Sequence, residues 1–110
     1  MALNARVLSR VLVVRLKPEL VLKREIQAWV ERDKLQADSI VTAVGSLKVV
    51  TLRLANPSEA KTYTGPHKIV SLVGTLSPEG LHLHMAVSDA DGCTVKGHLV
   101  DGNKIGRAHV

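Results

Sequence analysis

Aromatic residues are nearly missing from this 110-residue chain, which has one Trp, one Tyr and no Phe. A core without large rings is built from Val, Leu, Ile and Ala, residues that suit a half-buried pleated sheet. The same shortage argues against binding of single-stranded nucleic acid, which stacks its bases on aromatic side chains. One cysteine, Cys93, rules out an internal disulfide and fits a reducing, cytoplasmic compartment, where it reads as a small packing residue. No apolar run approaches the ~20 residues of a membrane-spanning helix. Near the N-terminus Arg10 and Arg15 bracket only Val11 to Val14, so the pattern of a secretory signal is missing too. There is no P-loop, dinucleotide fingerprint, His-Glu-x-x-His or nucleophile elbow. Val44-Gly-Ser-Leu47 lacks the second glycine of that elbow, and Ser46 reads as a turn residue. The net charge is +5, yet no basic run exceeds the pair Lys23-Arg24, so any polyanion contact is dispersed rather than focused.

The length suits one small domain, residues 1–110, with a single core. Ser9 to Lys17 is almost continuously apolar and reads as a first, central strand. Pro18 then opens a helix with Glu19 in its first turn, running to about Lys34. Leu22, Ile26, Trp29 and Val30 recur at helical spacing as its buried stripe. Strands follow at Ile40–Val44, ended by Gly45-Ser46, and at Lys48–Ala55, with a loop at Asn56 to Glu59. A short strand at Lys61–Thr64 is stopped by Gly65-Pro66 and followed by a strongly β segment, Lys68–Leu76. Gly74 inside that segment signals a bulge or a close backbone approach. With a hairpin after Gly80 and a last strand from Asn103, one helix accompanies six or seven strands. The fold class is α+β with a mainly antiparallel sheet.

Leu81-His-Leu-His-Met-Ala-Val-Ser88 and Thr94-Val-Lys-Gly-His-Leu-Val100 read as the two arms of that hairpin, joined at Asp89-Ala-Asp-Gly92. Alternation places His82 and His84 on one strand face. If the turn pairs Ser88 with Gly92, His82 falls opposite His98, their Cβ atoms about 5 Å apart. Two readings fit. Three neutral imidazoles bind Zn²⁺ and leave one coordination position open, as a reactive site requires. Alternatively, the histidines are merely the polar side of a half-buried strand whose core side is Leu81, Leu83, Met85 and Val87. Lys96 shares the face of His98, and Arg53 joins it if its own face turns inward. Both are candidates to hold a small anionic ligand, or surface charges. No acid lies on the histidine face of the hairpin, so no general base is evident.

Several segments, in order and spacing, resemble the plant and prokaryote conserved (PPC) domain, also known as the domain of unknown function 296. They are Arg15-Leu-Lys-Pro18, Ala43-Val-Gly-Ser-Leu47, Leu52-Arg-Leu-Ala55, Ile69 to Thr75, Gly80-Leu-His-Leu-His84, Asp91-Gly92 and Gly97-His-Leu99. The resemblance implies an α+β fold assembled as a homotrimer, similar to that of acetolactate decarboxylase, with a metal site at His82, His84 and His98. It also implies a DNA-associated regulatory module, since stand-alone prokaryotic members are commonly labelled predicted DNA-binding proteins. The plant AT-hook, Arg-Gly-Arg-Pro, does not occur in this chain. Lys68 stands where the family carries an acid, and the chain stops at Val110, short of the usual final strand. The alternative function is a zinc-dependent lyase or hydrolase acting on a small anionic substrate, although a shared fold does not transfer chemistry.

Overall fold

The computed structural model describes residues 11–55 and 59–110. The expected start of the first strand at Ser9-Arg10, and loop residues Asn56 to Ser58, lie outside that range. In chain order the elements are β1 (Arg15–Leu16), α1 (Leu22–Arg32), β2 (Asp38–Ser39), β3 (Val44–Arg53), β4 (Ala60–Ser77), β5 (Gly80–Ser88), β6 (Thr94–Leu99) and β7 (Lys104–His109). They form one sheet in the order β1-β7-β3-β6-β5-β4-β2, every neighbour antiparallel. β3 also pairs with β4, so β3, β4, β5 and β6 close into a ring.

The length of β4 makes this closure possible. Its first half runs along β3 and its second half along β5, with Lys68 paired to both Ser46 and Ser88. The sequence suggests two strands broken at Gly65-Pro66, but one continuous strand crosses that point. Between the pairs Leu47–His67 and Val49–Thr64, Gly65 and Pro66 together face the single residue Lys48. The extra residue makes a bulge, and a bulge is where a strand tolerates a proline that cannot donate to the ladder. A second irregularity, between Ile69 and Ser71, leaves Val70 as an extra residue against β5.

Three other boundaries move. Among the described residues β1 pairs only with β7 and is an edge strand, not a central one; Val11 and Val13 are exposed, so its apolar run is not buried on both faces. Asp38-Ser39 forms the second strand, while the expected strand at Ile40–Val44 is irregular until Val44, and Gly45-Ser46 continues β3. The helix begins at Leu22 rather than Pro18. Glu19 has a φ of 75°, outside the helical range, and its carboxylate is held by Lys48 and Lys104. No side chain caps α1; instead the Leu22 N–H donates to the Asn103 carbonyl at 2.8 Å, tying the helix start to the chain entering β7. Leu22, Ile26, Trp29 and Val30 are all buried, as their spacing requires, and join the sheet's inward residues in one core.

β3 changes partner along its length, from β7 at Val44–Val49 to β6 at Leu52–Arg53. The side chain of Asn103, fully buried, fills the gap. Its Oδ1 accepts the Thr51 N–H at 2.8 Å, and its Nδ2 donates to the Thr51 carbonyl at 2.8 Å and the Val100 carbonyl at 2.7 Å. An amide side chain stands in there for the peptide of a neighbouring strand.

Candidate metal centre

Along β5, Leu83, Met85 and Val87 are buried in the core, which leaves His82 and His84 on the outer face. β6 pairs with β5 through Val87–Val95, Met85–Gly97 and His84–His98. His98 therefore lies opposite His84, not His82. The cause is the turn. The Asp89 carboxylate accepts the N–H groups of Asp91 and Cys93, both at 2.9 Å, and the Asp89 N–H donates to the Cys93 carbonyl. The turn thus extends through Cys93, and pairing resumes at Ser88–Thr94. A slip of two residues preserves the face, because side chains alternate with period two. Cys93 itself is exposed rather than packed.

The three rings converge. Their centroids lie 5.3 Å apart for His82–His84, 5.6 Å for His82–His98 and 5.6 Å for His84–His98. One nitrogen from each lies within 4.8 Å of the others. Tetrahedral zinc at about 2.0–2.1 Å from each nitrogen asks for separations of roughly 3–3.5 Å. His82 and His84 are exposed, so modest side-chain rotation closes that difference. Three imidazoles are a donor set suited to zinc and to other late first-row metals. Burial holds the pKa of His98 below the usual histidine value, and the Arg53 guanidinium and the other two imidazoles push it the same way. That favours the neutral ring, the form that ligates a metal.

Two glycines let the strands approach. A Cβ on Gly74 would stand 1.9 Å from the His82 carbonyl oxygen, and one on Gly97 would stand 2.7 Å from the Arg53 carbonyl oxygen. Gly74 is therefore the close approach read from the sequence, and it lies directly under a ligand candidate. Gly97 has the matching role under β3, legible only as a glycine in a strand beside a histidine.

Arg53 pairs with His98, His98 with His84, and His84 with Val73, so these four form one row across the outer face. Lys96 and Ala86 pair in the adjacent row, and His82 pairs with Thr75 in the row on the other side. An open groove runs beside the cluster, bounded by Arg53, Leu54, Val73, Ala86 and Lys96. Strands β3 to β7 contain no Asp or Glu. His67, by contrast, is buried on β4 with its Nδ1 on the Gly65 carbonyl at 3.0 Å, and is structural.

The profile of the Plants and Prokaryotes Conserved domain matches residues 4–110. The chain belongs to that family. It is 44% identical over 93 residues to the bifunctional protein GlmU of Synechococcus sp. strain JA-3-3Ab, covering 84% of this chain but 15% of that protein. A Salmonella enterica protein of solved structure but no assigned role superposes with a TM-score of 0.86 at 35% identity, over 89% of this chain and 71% of the other. A candidate DNA-binding protein from Bacteroides thetaiotaomicron gives 0.77 at 25% identity, covering 88% and 72%. A metal-containing protein from Archaeoglobus fulgidus also gives 0.77, at 22% identity over 89% and 74%, a likeness of fold. Among the described residues no helix of this PPC chain is long and apolar enough to cross a membrane.

Proposed function

We propose that this PPC chain is a metal-binding module in which His82, His84 and His98 hold one divalent cation, zinc by preference. The observation that carries the reading is the convergence of three imidazoles, one nitrogen of each within 4.8 Å, on a sheet face without carboxylates. A metal-containing protein of the same fold supports it. A cation on three neutral imidazoles keeps a position for water or a ligand oxygen and polarises what binds there. Elemental analysis of protein purified without a histidine tag tests the reading. About one zinc per chain is expected, with its loss after His84→Ala and His98→Ala together; full retention by that double variant refutes it.

The module acts as a homotrimer in a cytoplasmic, DNA-associated role. Exposed Val11, Val13, Val41 and Val44 border an apolar groove that subunit contact would cover. A structural relative described as a candidate DNA-binding protein supports the role, and here the charged residues of β3 to β7 are all Lys or Arg. Such charges reach phosphates without reading bases. Light scattering at micromolar concentration tests the trimer, and a monomer there ends that part of the reading. The second reading, a zinc-dependent lyase or hydrolase on a small anion, is favoured by Arg53 lying directly across from His98.

A further inference from the structure

We propose that the groove beside the three histidines binds a small organic carboxylate, with its head on Arg53 and Lys96 and a short carbon chain on Val73 and Ala86. The proposal deepens the metal reading, since the carboxylate would lie where a cation on His84 and His98 keeps its open position.

The charge comes first. Strands β3 to β7 offer no acid, and among the described residues neither Arg53 nor Lys96 takes part in an ion pair. Both cations belong to the outer face, Arg53 in the row of His98 and Lys96 two residues before His98 on the same strand. Arginine's planar fork matches a carboxylate with two parallel hydrogen bonds, while the lysine ammonium adds a mobile point charge. Two unpaired cations beside the imidazole cluster select an anion.

The wall selects its body. Past His84 the row ends on Val73, which is 49% exposed although strongly apolar, and Ala86 and Leu54 border the same groove half-buried. Inorganic phosphate or a nucleic-acid backbone would leave this wall bare. Arg53 and Val73 stand three strand spacings apart along the row, about 14 Å, of which the long Arg53 side chain covers roughly half; from there a chain of about four carbon–carbon bonds reaches toward Val73. Pentanoate therefore fits better than acetate.

Amide chemical-shift titrations with pentanoate, acetate and inorganic phosphate test this, on zinc-loaded and zinc-free protein with zinc content measured in parallel. Pentanoate is expected to shift the amides around Arg53, Val73, Ala86 and Lys96 and to bind roughly five- to tenfold tighter than acetate, as partial burial of three methylenes requires. Arg53→Gln should weaken both carboxylates about tenfold, whereas Val73→Ser should weaken pentanoate alone, and neither should lower zinc content. Equal affinity for acetate and pentanoate, or tighter binding of phosphate at the same residues, overturns the proposal. So does an unchanged affinity in Arg53→Gln. Absence of zinc with the carboxylate preference intact counts against the metal reading and supports this one.

Discussion

Replacing Asn103 by alanine should cost about 3 kcal/mol of stability. The side chain is fully buried and makes three hydrogen bonds of 2.7–2.8 Å, all to backbone groups: the Thr51 N–H, the Thr51 carbonyl and the Val100 carbonyl. Alanine removes every partner at once. A buried polar group left unpaired costs roughly 1–3 kcal/mol. Thr51 is half-buried, so water recovers part of that loss, and about 1 kcal/mol for each group is the working figure. Against a total of ~5–15 kcal/mol for a domain, the effect is large. With a urea slope of about 1.5 kcal/mol per molar, the midpoint should fall by roughly 2 M. Trp29, the single tryptophan, packs in the core and reports the transition by fluorescence. Asn103→Asp keeps the shape but sets a carboxylate against two carbonyls, and should cost at least as much near neutral pH. A loss below about 1 kcal/mol in the alanine variant, or wild-type stability in the aspartate variant, would show that the amide does not bridge the gap between β7 and β6.

Gly74→Ala should destabilise by more than about 2 kcal/mol and lower zinc retention, because the new Cβ would stand 1.9 Å from the His82 carbonyl oxygen; urea unfolding with zinc analysis reads both, and a neutral variant contradicts the close approach. The Lys48 and Lys104 ammonium groups hold the Glu19 carboxyl at about 2, below its ordinary 4.5, so its stabilising contribution is complete above pH 4.5 and disappears as pH falls toward 2. Carboxyl NMR titration of the Lys48→Ala, Lys104→Ala double variant should return the value toward 4.5, and no change there would refute the pairing. Duplex DNA should bind with a dissociation constant on the order of micromolar or weaker near physiological salt, equally for A·T-rich and G·C-rich sequences, and more weakly as salt rises. Nanomolar affinity for one sequence that survives higher salt would contradict dispersed phosphate contact.

Periodicity in the sequence was enough to place His82 and His84 on one face and Leu83, Met85 and Val87 on the other, because alternation is a property of the strand backbone itself. It likewise identified the buried stripe of α1, since Leu22, Ile26, Trp29 and Val30 follow the helical repeat wherever the helix packs. The shortage of aromatics, and with it the aliphatic core, is also visible in the residues alone, as is the lack of an acid on the histidine face of the hairpin. Tertiary structure decided which residues meet. His98 faces His84 because the Asp89 carboxylate draws Cys93 into the turn. Turn hydrogen bonds of that kind shift register by whole residues without altering the strand pattern on either side. The continuity of β4 through Gly65-Pro66 depends on a single residue, Lys48, of another strand. β1 lies at an edge because, among the described residues, only β7 pairs with it, which its apolar run does not reveal. Arg53 reached the histidine row through pairing of β3 with β6, residues far apart in the chain. Such pairings depend on closure of the whole sheet, and no local repeat encodes them.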